Sequence, residues 1–195
     1  VVNVPDATES IEIGDISMAM HQHLNYFTVA SLARTLQAAG LEVLSVDKAR
    51  YGGSLYAVGR RGKAPAPAHS VPSSYSASDD FGAKARRVIA NMSRVLESIT
   101  ASDSSTLGYY VPLRSLPYIA LSKPHAFRFF DDTAHWHRRE FDGVDVLVEN
   151  FSDLKANPVS HIVIMSLTFA EAIRRKVHAE FGDSIKTLTL AEIAA

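Results

Sequence analysis

The stretch from Arg61 to Asp80 constrains this chain more than any other. It is rich in Ala, Pro and Ser, and neither the alternation of a strand nor the period of a helix runs through it. Such a segment reads as a linker. It leaves 1–60 and 81–195 to fold around separate hydrophobic patterns. A chain of 195 residues that is 47% apolar can bury one sizeable core or two small ones. Charged residues make up 21% and the net charge is −1, so no basic excess points to nucleic acid and no one-signed field points to a membrane surface. Cysteine is absent, which removes disulfides and thiolate metal ligands. No apolar run approaches the roughly 20 residues of a spanning helix. A cytoplasmic protein with neither a nucleic-acid nor a membrane partner is expected.

The chain opens in Val1-Val2-Asn3-Val4-Pro5-Asp6, a strand and the turn after it. Domains seldom begin at a core strand, so a longer parent protein is expected. Thr28 can cap a helix with Val29, Leu32, Ala33 and Leu36 on one face, ended by Gly40. Strands are expected over Leu41–Val46 and Ser54–Val58, joined by a turn containing Gly52-Gly53 as an antiparallel pair at a sheet edge. Beyond the linker, Ala85, Val88, Ile89, Met92, Leu96 and Ile99 make a helical stripe over Gly82–Thr100. Strands over Thr106–Val111, Ala126–Phe130, Val144–Val148, Ile162–Leu167 and Ile185–Leu190 follow. Between them lie a short helix over Ser115–Leu121 and another from the capping box Thr168-Phe169-Ala170-Glu171 to Phe181, stopped by Gly182. This alternation predicts an α/β fold with a mainly parallel sheet covered on both faces.

Two segments carry candidate chemistry: His21-Gln22-His23-Leu24-Asn25-Tyr26-Phe27 and Tyr51-Gly52-Gly53-Ser54-Leu55-Tyr56. One helix and one strand separate them, so both can reach a single cleft. The first holds imidazoles that titrate near neutral pH. The second lets a backbone approach closely, although a hairpin turn alone explains its glycines equally well. The pairs His21/His23 and His135/His137 lack Cys and a carboxylate at ligand spacing, so no metal site is expected. No G-x-G-x-x-G follows any strand, which disfavours a dinucleotide-dependent redox enzyme.

With the helix ending in Ala39-Gly40, these two segments resemble the sugar C-methyltransferases, class I S-adenosylmethionine enzymes with a Rossmann-like C-terminal domain. The later residues match that domain in outline: the leading helix, Gly108 after a strand, Asp131-Asp132 after the next, and Ser166-Leu167-Thr168-Phe169 with Glu171-Ala172-Ile173. The resemblance spans nearly the whole chain. It implies that 1–60 closes a methyltransferase core, 61–80 is a linker and 81–195 is the Rossmann-like domain. The S-adenosylmethionine loop and a zinc-binding segment would lie upstream, so this chain alone is expected to hold the cofactor poorly and to be inactive. The implied activity is C-methylation of a nucleotide-linked keto-sugar or similar ketone. His23 would be the base, with Tyr26 or His21 orienting it or donating to the enolate oxygen. Gly52, Gly53 and Ser54 would meet the sugar or phosphate of the nucleotide-sugar.

Two further contacts are weighed against plainer roles. Arg114 can pair with a diphosphate or be a solvated helix-start arginine, and Asp131 can hold a ribose or cap a turn; the plainer role is favoured for each. The chain also departs from the family. Where the family typically reads Tyr-His-Glu-His-Leu-Ser-Tyr-Phe, this sequence has Met20, Gln22 and Asn25. Gly108-Tyr109-Tyr110-Val111-Pro112-Leu113-Arg114 replaces a glycine-rich turn. The alternative function is a non-catalytic module that binds a nucleotide-sugar or mediates assembly. The oligomeric state is left open.

Overall fold

The computed structural model describes residues 1–19, 24–50, 52–62, 75–101, 106–122, 126–141 and 143–195, with main chain alone over 75–79. The chain forms two compact units, Val1–Lys84 and Ala85–Ala195. Most of the expected linker, 63–74, lies outside the described residues. Its last six residues differ from expectation, because the long helix begins at Tyr75 rather than Gly82.

The amino-terminal unit is a three-stranded sheet with one helix packed on it. Strand β1 (Val2–Pro5) leads into a short helix α1 (Thr8–Ile13) and a 3-10 turn at Ile16–Met18, neither of which the apolar pattern reveals. Helix α2 (Val29–Ala38) then precedes the hairpin β2 (Leu41–Lys48) and β3 (Ser54–Arg61). The Thr28 hydroxyl accepts from the Ser31 amide at 3.2 Å while the Thr28 amide donates to the Ser31 hydroxyl at 2.8 Å, a reciprocal cap. Gly40, at φ +80°, ends the helix as expected.

The strand order is β1-β3-β2, with β3 antiparallel to both neighbours. Val2 and Val46 flank Ala57, and Val4 lies opposite Leu55, so one face gathers these side chains beneath Leu32 and Leu36 of α2. Leu32 is 2% exposed; burying a leucine in this way contributes about 1.5–3 kcal/mol. A bulge between Val43 and Ser45 leaves Leu44 exposed.

The carboxyl-terminal unit is a five-stranded, wholly parallel sheet. Its strands are β4 (Leu107–Tyr110), β5 (Arg128–Asp131), β6 (Val148–Asn150), β7 (His161–Ile164) and β8 (Lys186–Thr189). The order β6-β5-β4-β7-β8 places the first strand in the middle and reverses direction between β4 and β7, which is the strand order of a doubly wound fold. Side chains alternate across it. Tyr110, Phe130, Ile162 and Ile164 pack with Ile173 and Val177 of helix α5 (Ala170–Phe181), whereas Tyr109, Phe129 and Val163 are fully buried in the other direction along the pleat. Helix α3 (Tyr75–Thr100) buries Ala85, Val88, Met92, Leu96 and Ile99, the expected stripe save for the partly exposed Ile89. Helix α4 (Pro112–Ser122) follows β4.

Three local expectations fail for identifiable reasons. The strand expected over Val144–Val148 starts only at Val148, because the Val144 amide turns back to the Phe141 carbonyl and the Val146 amide to that of Val144, both at 2.8 Å. The Thr168 capping box does not form: α5 opens at Ala170 without a side-chain cap, and the Ser166 hydroxyl accepts from the Phe169 amide at 3.0 Å in the turn before it. The last strand stops at Thr189, where a capping box with Glu192 opens helix α6 (Leu190–Ala194). Among the described residues, no helix is long and apolar enough to cross a membrane.

Candidate functional site

Asp6 and Ala7, at the end of β1, tie together the two segments singled out in the sequence. The Asp6 amide donates to the Gly53 carbonyl at 3.1 Å, and the Ala7 amide donates to the Phe27 carbonyl at 2.9 Å. Asp6 and Phe27 also form an isolated parallel bridge. The double-glycine turn and the end of the His21–Phe27 segment therefore meet across one strand terminus. His21 and His23 lie outside the described residues. Tyr26 is partly exposed beside this junction, next in sequence to Phe27, which packs against the α2 core.

Gly52 and Gly53 sit at φ +77° and +74°. Residues with a side chain pay about 1–2 kcal/mol for that region, so the hairpin itself requires both glycines. Ser54 opens β3 opposite Pro5, and its carbonyl accepts from Ala49 at 2.8 Å. Two acidic residues that sequence reasoning missed organise this end of the unit. The nearly buried Asp6 carboxylate accepts from the Thr8 amide at 2.9 Å and lies 3.5 Å from the Lys48 ammonium. Asp15, fully buried, accepts from the Ser10 hydroxyl at 3.1 Å and from the Ser17 amide and hydroxyl at 2.8 and 2.9 Å. The Asp-x-Thr and Asp-x-Ser spacings were the available signal, since both mark side chains that bond the backbone two residues on.

Arg114 and Asp131 belong to the other unit, where the parallel topology brings them to one edge: Arg114 in the first turn after β4, Asp131 at the end of the neighbouring β5. That edge flanks the reversal of strand order, where doubly wound sheets bind ligands. Its backbone is poorly equipped for an anion. The Val111 amide donates to the Phe130 carbonyl at 3.2 Å, Pro112 has no amide hydrogen, and the Arg114 amide donates to the Val111 carbonyl at 3.2 Å. Val111 sits at φ +67°, unusual for a β-branched residue. Asp131 accepts from the Thr133 amide at 2.8 Å, and its carbonyl lies 2.8 Å from the His137 ring, so its polar atoms shape the turn.

Asp132 pairs instead with Lys176 of α5, and Lys176 also donates to the Tyr110 hydroxyl at 3.2 Å. Burial pushes the Tyr110 phenol up, and the Asp132 carboxylate pushes it further. Burial also raises Asp132, but hydrogen bonds from Lys176 and Tyr110 outweigh it and hold the carboxyl below its ordinary range. The trio is therefore a protonated phenol on an ion pair, with no group able to take a proton at neutral pH. Gly108, expected after a strand, lies inside β4. An added Cβ there would come within 2.7 Å of the Phe130 ring.

The described residues contain no group of three or more His, Asp or Glu that could hold a metal ion. Gly52-Gly53 joins two antiparallel strands instead of opening a helix. No protein-family model and no curated protein matches the chain. Function must therefore be argued from the site.

Proposed function

We propose that this chain is the closing part of a class I methyltransferase core followed by a Rossmann-like domain, and that it serves C-methylation of a nucleotide-linked keto-sugar or similar ketone. The carrying observation is the junction at Asp6–Ala7, which bonds both to Gly53 and to Phe27. Phe27, the last residue of the segment that carries the candidate base, and the close-approach backbone at the glycine turn thereby share one end of the sheet. The order β1-β3-β2, with the last strand inserted antiparallel, has the content of a closing helix and hairpin. In this reading neutral His23 takes the proton from the carbon beside the carbonyl, leaving a nucleophilic carbon. Tyr26 or His21 donates to the enolate oxygen. Gly52, Gly53 and Ser54 offer main chain and hydroxyl to the sugar.

The test is His23→Ala in the full-length enzyme. Methyl transfer and solvent-proton exchange at the substrate carbon should both be lost, while cofactor binding persists. Intact exchange would remove His23 from the mechanism. The second reading, a non-catalytic nucleotide-sugar-binding or assembly module, is favoured by one observation: the Val111-Pro112 turn offers few free amides to a ligand. Calorimetry of a longer protein that includes the upstream part separates the readings: a methyltransferase binds both S-adenosylhomocysteine and the nucleotide-sugar, a nucleotide-sugar-binding module only the latter, and an assembly module neither.

A further inference from the structure

The amino-terminal unit buries a carboxylate that the proposed chemistry does not use. Asp15 and Ser17 are fully buried, and Ser10 nearly so. Asp15 Oδ2 accepts from the Ser10 and Ser17 hydroxyls at 3.1 and 2.9 Å, and Oδ1 accepts from the Ser17 amide at 2.8 Å. A carboxylate is costly to take out of water, and these donors converge on it from both sides of the α1 terminus. Its place in the chain suggests why it is kept. Helix α1 runs from the Phe27 junction to Asp15. At its start, Ala7 donates its amide to the Phe27 carbonyl and accepts from the Ile11 amide, both at 2.9 Å. At its end, Gly14 sits at φ +85°, and the Ser10 carbonyl accepts from the Gly14 and Asp15 amides at 3.0 and 2.8 Å. Asp15 then caps the 3-10 turn Ile16–Met18, which the Ala19 amide closes onto the Ile16 carbonyl at 3.0 Å. Ala19 and Phe27 therefore bracket the stretch that carries the candidate base. Both are tied to the same helix of 6 residues, about 9 Å long.

We propose that Asp15 is a positioning residue: its carboxylate locks the entry of the His21–Phe27 segment to α1, so that α1 sets the separation of the two ends of that segment. On the methyl-transfer reading, on which this role rests, Asp15 acts on the base through the main chain and touches no substrate. Asparagine is nearly the same size and keeps one oxygen for the Ser17 amide. It replaces the other oxygen with a donor, toward which the Ser10 and Ser17 hydroxyls can rotate to accept. Asp15→Asn should therefore fold with a loosened turn, whereas Asp15→Ala leaves three donors without their acceptor. A base displaced by about 1 Å can lose about a hundredfold in rate. Substrate binding made elsewhere is untouched by that displacement, so the loss falls on kcat and spares KM.

The test has two arms. In the whole ¹⁵N-labelled chain, Asp15→Asn should speed hydrogen exchange at the Ser17 and Ala19 amides about tenfold while the amides of α2 keep their protection. In the full-length enzyme, solvent-proton exchange at the substrate carbon should show kcat lowered about tenfold in Asp15→Asn and about a hundredfold in Asp15→Ala. KM for the nucleotide-sugar and affinity for S-adenosylhomocysteine should not change. Rates are taken per S-adenosylhomocysteine-binding site, so that a loss of folded protein does not lower them. If Asp15→Ala does not fold, Asp15→Asn decides alone. Parent-like kcat in Asp15→Asn, with exchange that still requires His23, would overturn the positioning role and leave the methyl-transfer reading standing. Unchanged protection at Ser17 and Ala19 would overturn the role as well. Exchange in the parent that does not need His23 would overturn the reading itself, and the role with it.

Discussion

Gly108→Ala separates a packing role from a ligand role for the glycine in the middle of the parallel sheet. A Cβ built at Gly108 falls 2.7 Å from Phe130 Cε2, 3.1 Å from its Cδ2 and 3.3 Å from Val159 Cγ2. Relief requires the Phe130 ring to retreat until its contact reaches about 3.4 Å. That ring is fully buried, with the Arg128 guanidinium 5.0 Å from its centroid. Arg128 in turn is held by Glu149, so the ring has little room to move. Overpacking of this kind costs about 1–3 kcal/mol, and the stiffer unfolded chain returns about 0.4–1 kcal/mol. The net loss is about 1–2 kcal/mol, or roughly 3–6 °C in Tm for a chain of this size. Urea unfolding followed by circular dichroism, with calorimetry beside it, reads the change directly. Adding Phe130→Leu should recover part of the loss, a coupling above about 0.5 kcal/mol. A variant as stable as the parent would refute the packing argument.

Two further outcomes follow from the caps and the ion pair. Thr28→Ala removes one half of the α2 capping box and should cost about 1 kcal/mol in urea unfolding, with Thr28→Ser close to neutral. Asp132→Asn should cost about 0.5 kcal/mol at neutral pH, a small value because the pair is half exposed to solvent. Its folded carboxyl titrates below the ordinary value. The stabilisation is therefore present above the unfolded value near 3.9 and lost as pH falls through the folded one. Stability curves of variant and parent should merge in acid; a gap that persists there would mean that Asp132 acts through packing rather than charge.

Local signals in this sequence were legible wherever one residue type at one spacing settles the conformation. Thr28 before an apolar stripe, Gly40 after it, and the Val88–Met92–Leu96–Ile99 face of α3 all fold as their spacing requires. The start of α5 was not legible. Thr168 suits an N-terminus, but the chain after β7 turns through the bond from the Phe169 amide to Ser166, and the helix opens at Ala170 without a side-chain cap. Short elements escaped because α1 completes too few turns for a period to show. The candidate site was half legible. The double-glycine turn reads as a hairpin by itself, but its link to Phe27 runs through Asp6 and Ala7, which no local pattern marks as a junction. The Asp132–Lys176 pair spans 44 positions and exists only because parallel strands bring the end of β5 near α5.

These pairings bear on how the carboxyl edge of the parallel sheet can recognise a ligand. A doubly wound sheet ordinarily binds phosphate through free amides where the first helix begins. Here the Val111 and Arg114 amides are already bonded and Pro112 has none. Asp132, next to the usual ribose-binding position, is neutralised by Lys176. Main-chain recognition at the carboxyl edge is largely spent on folding, so any contact of Arg114 with a diphosphate must be made by its side chain. Any diphosphate affinity at this turn should therefore follow the Arg114 side-chain charge and weaken steeply with salt, in contrast to an amide cradle, whose hydrogen bonds persist when the surrounding charges are screened.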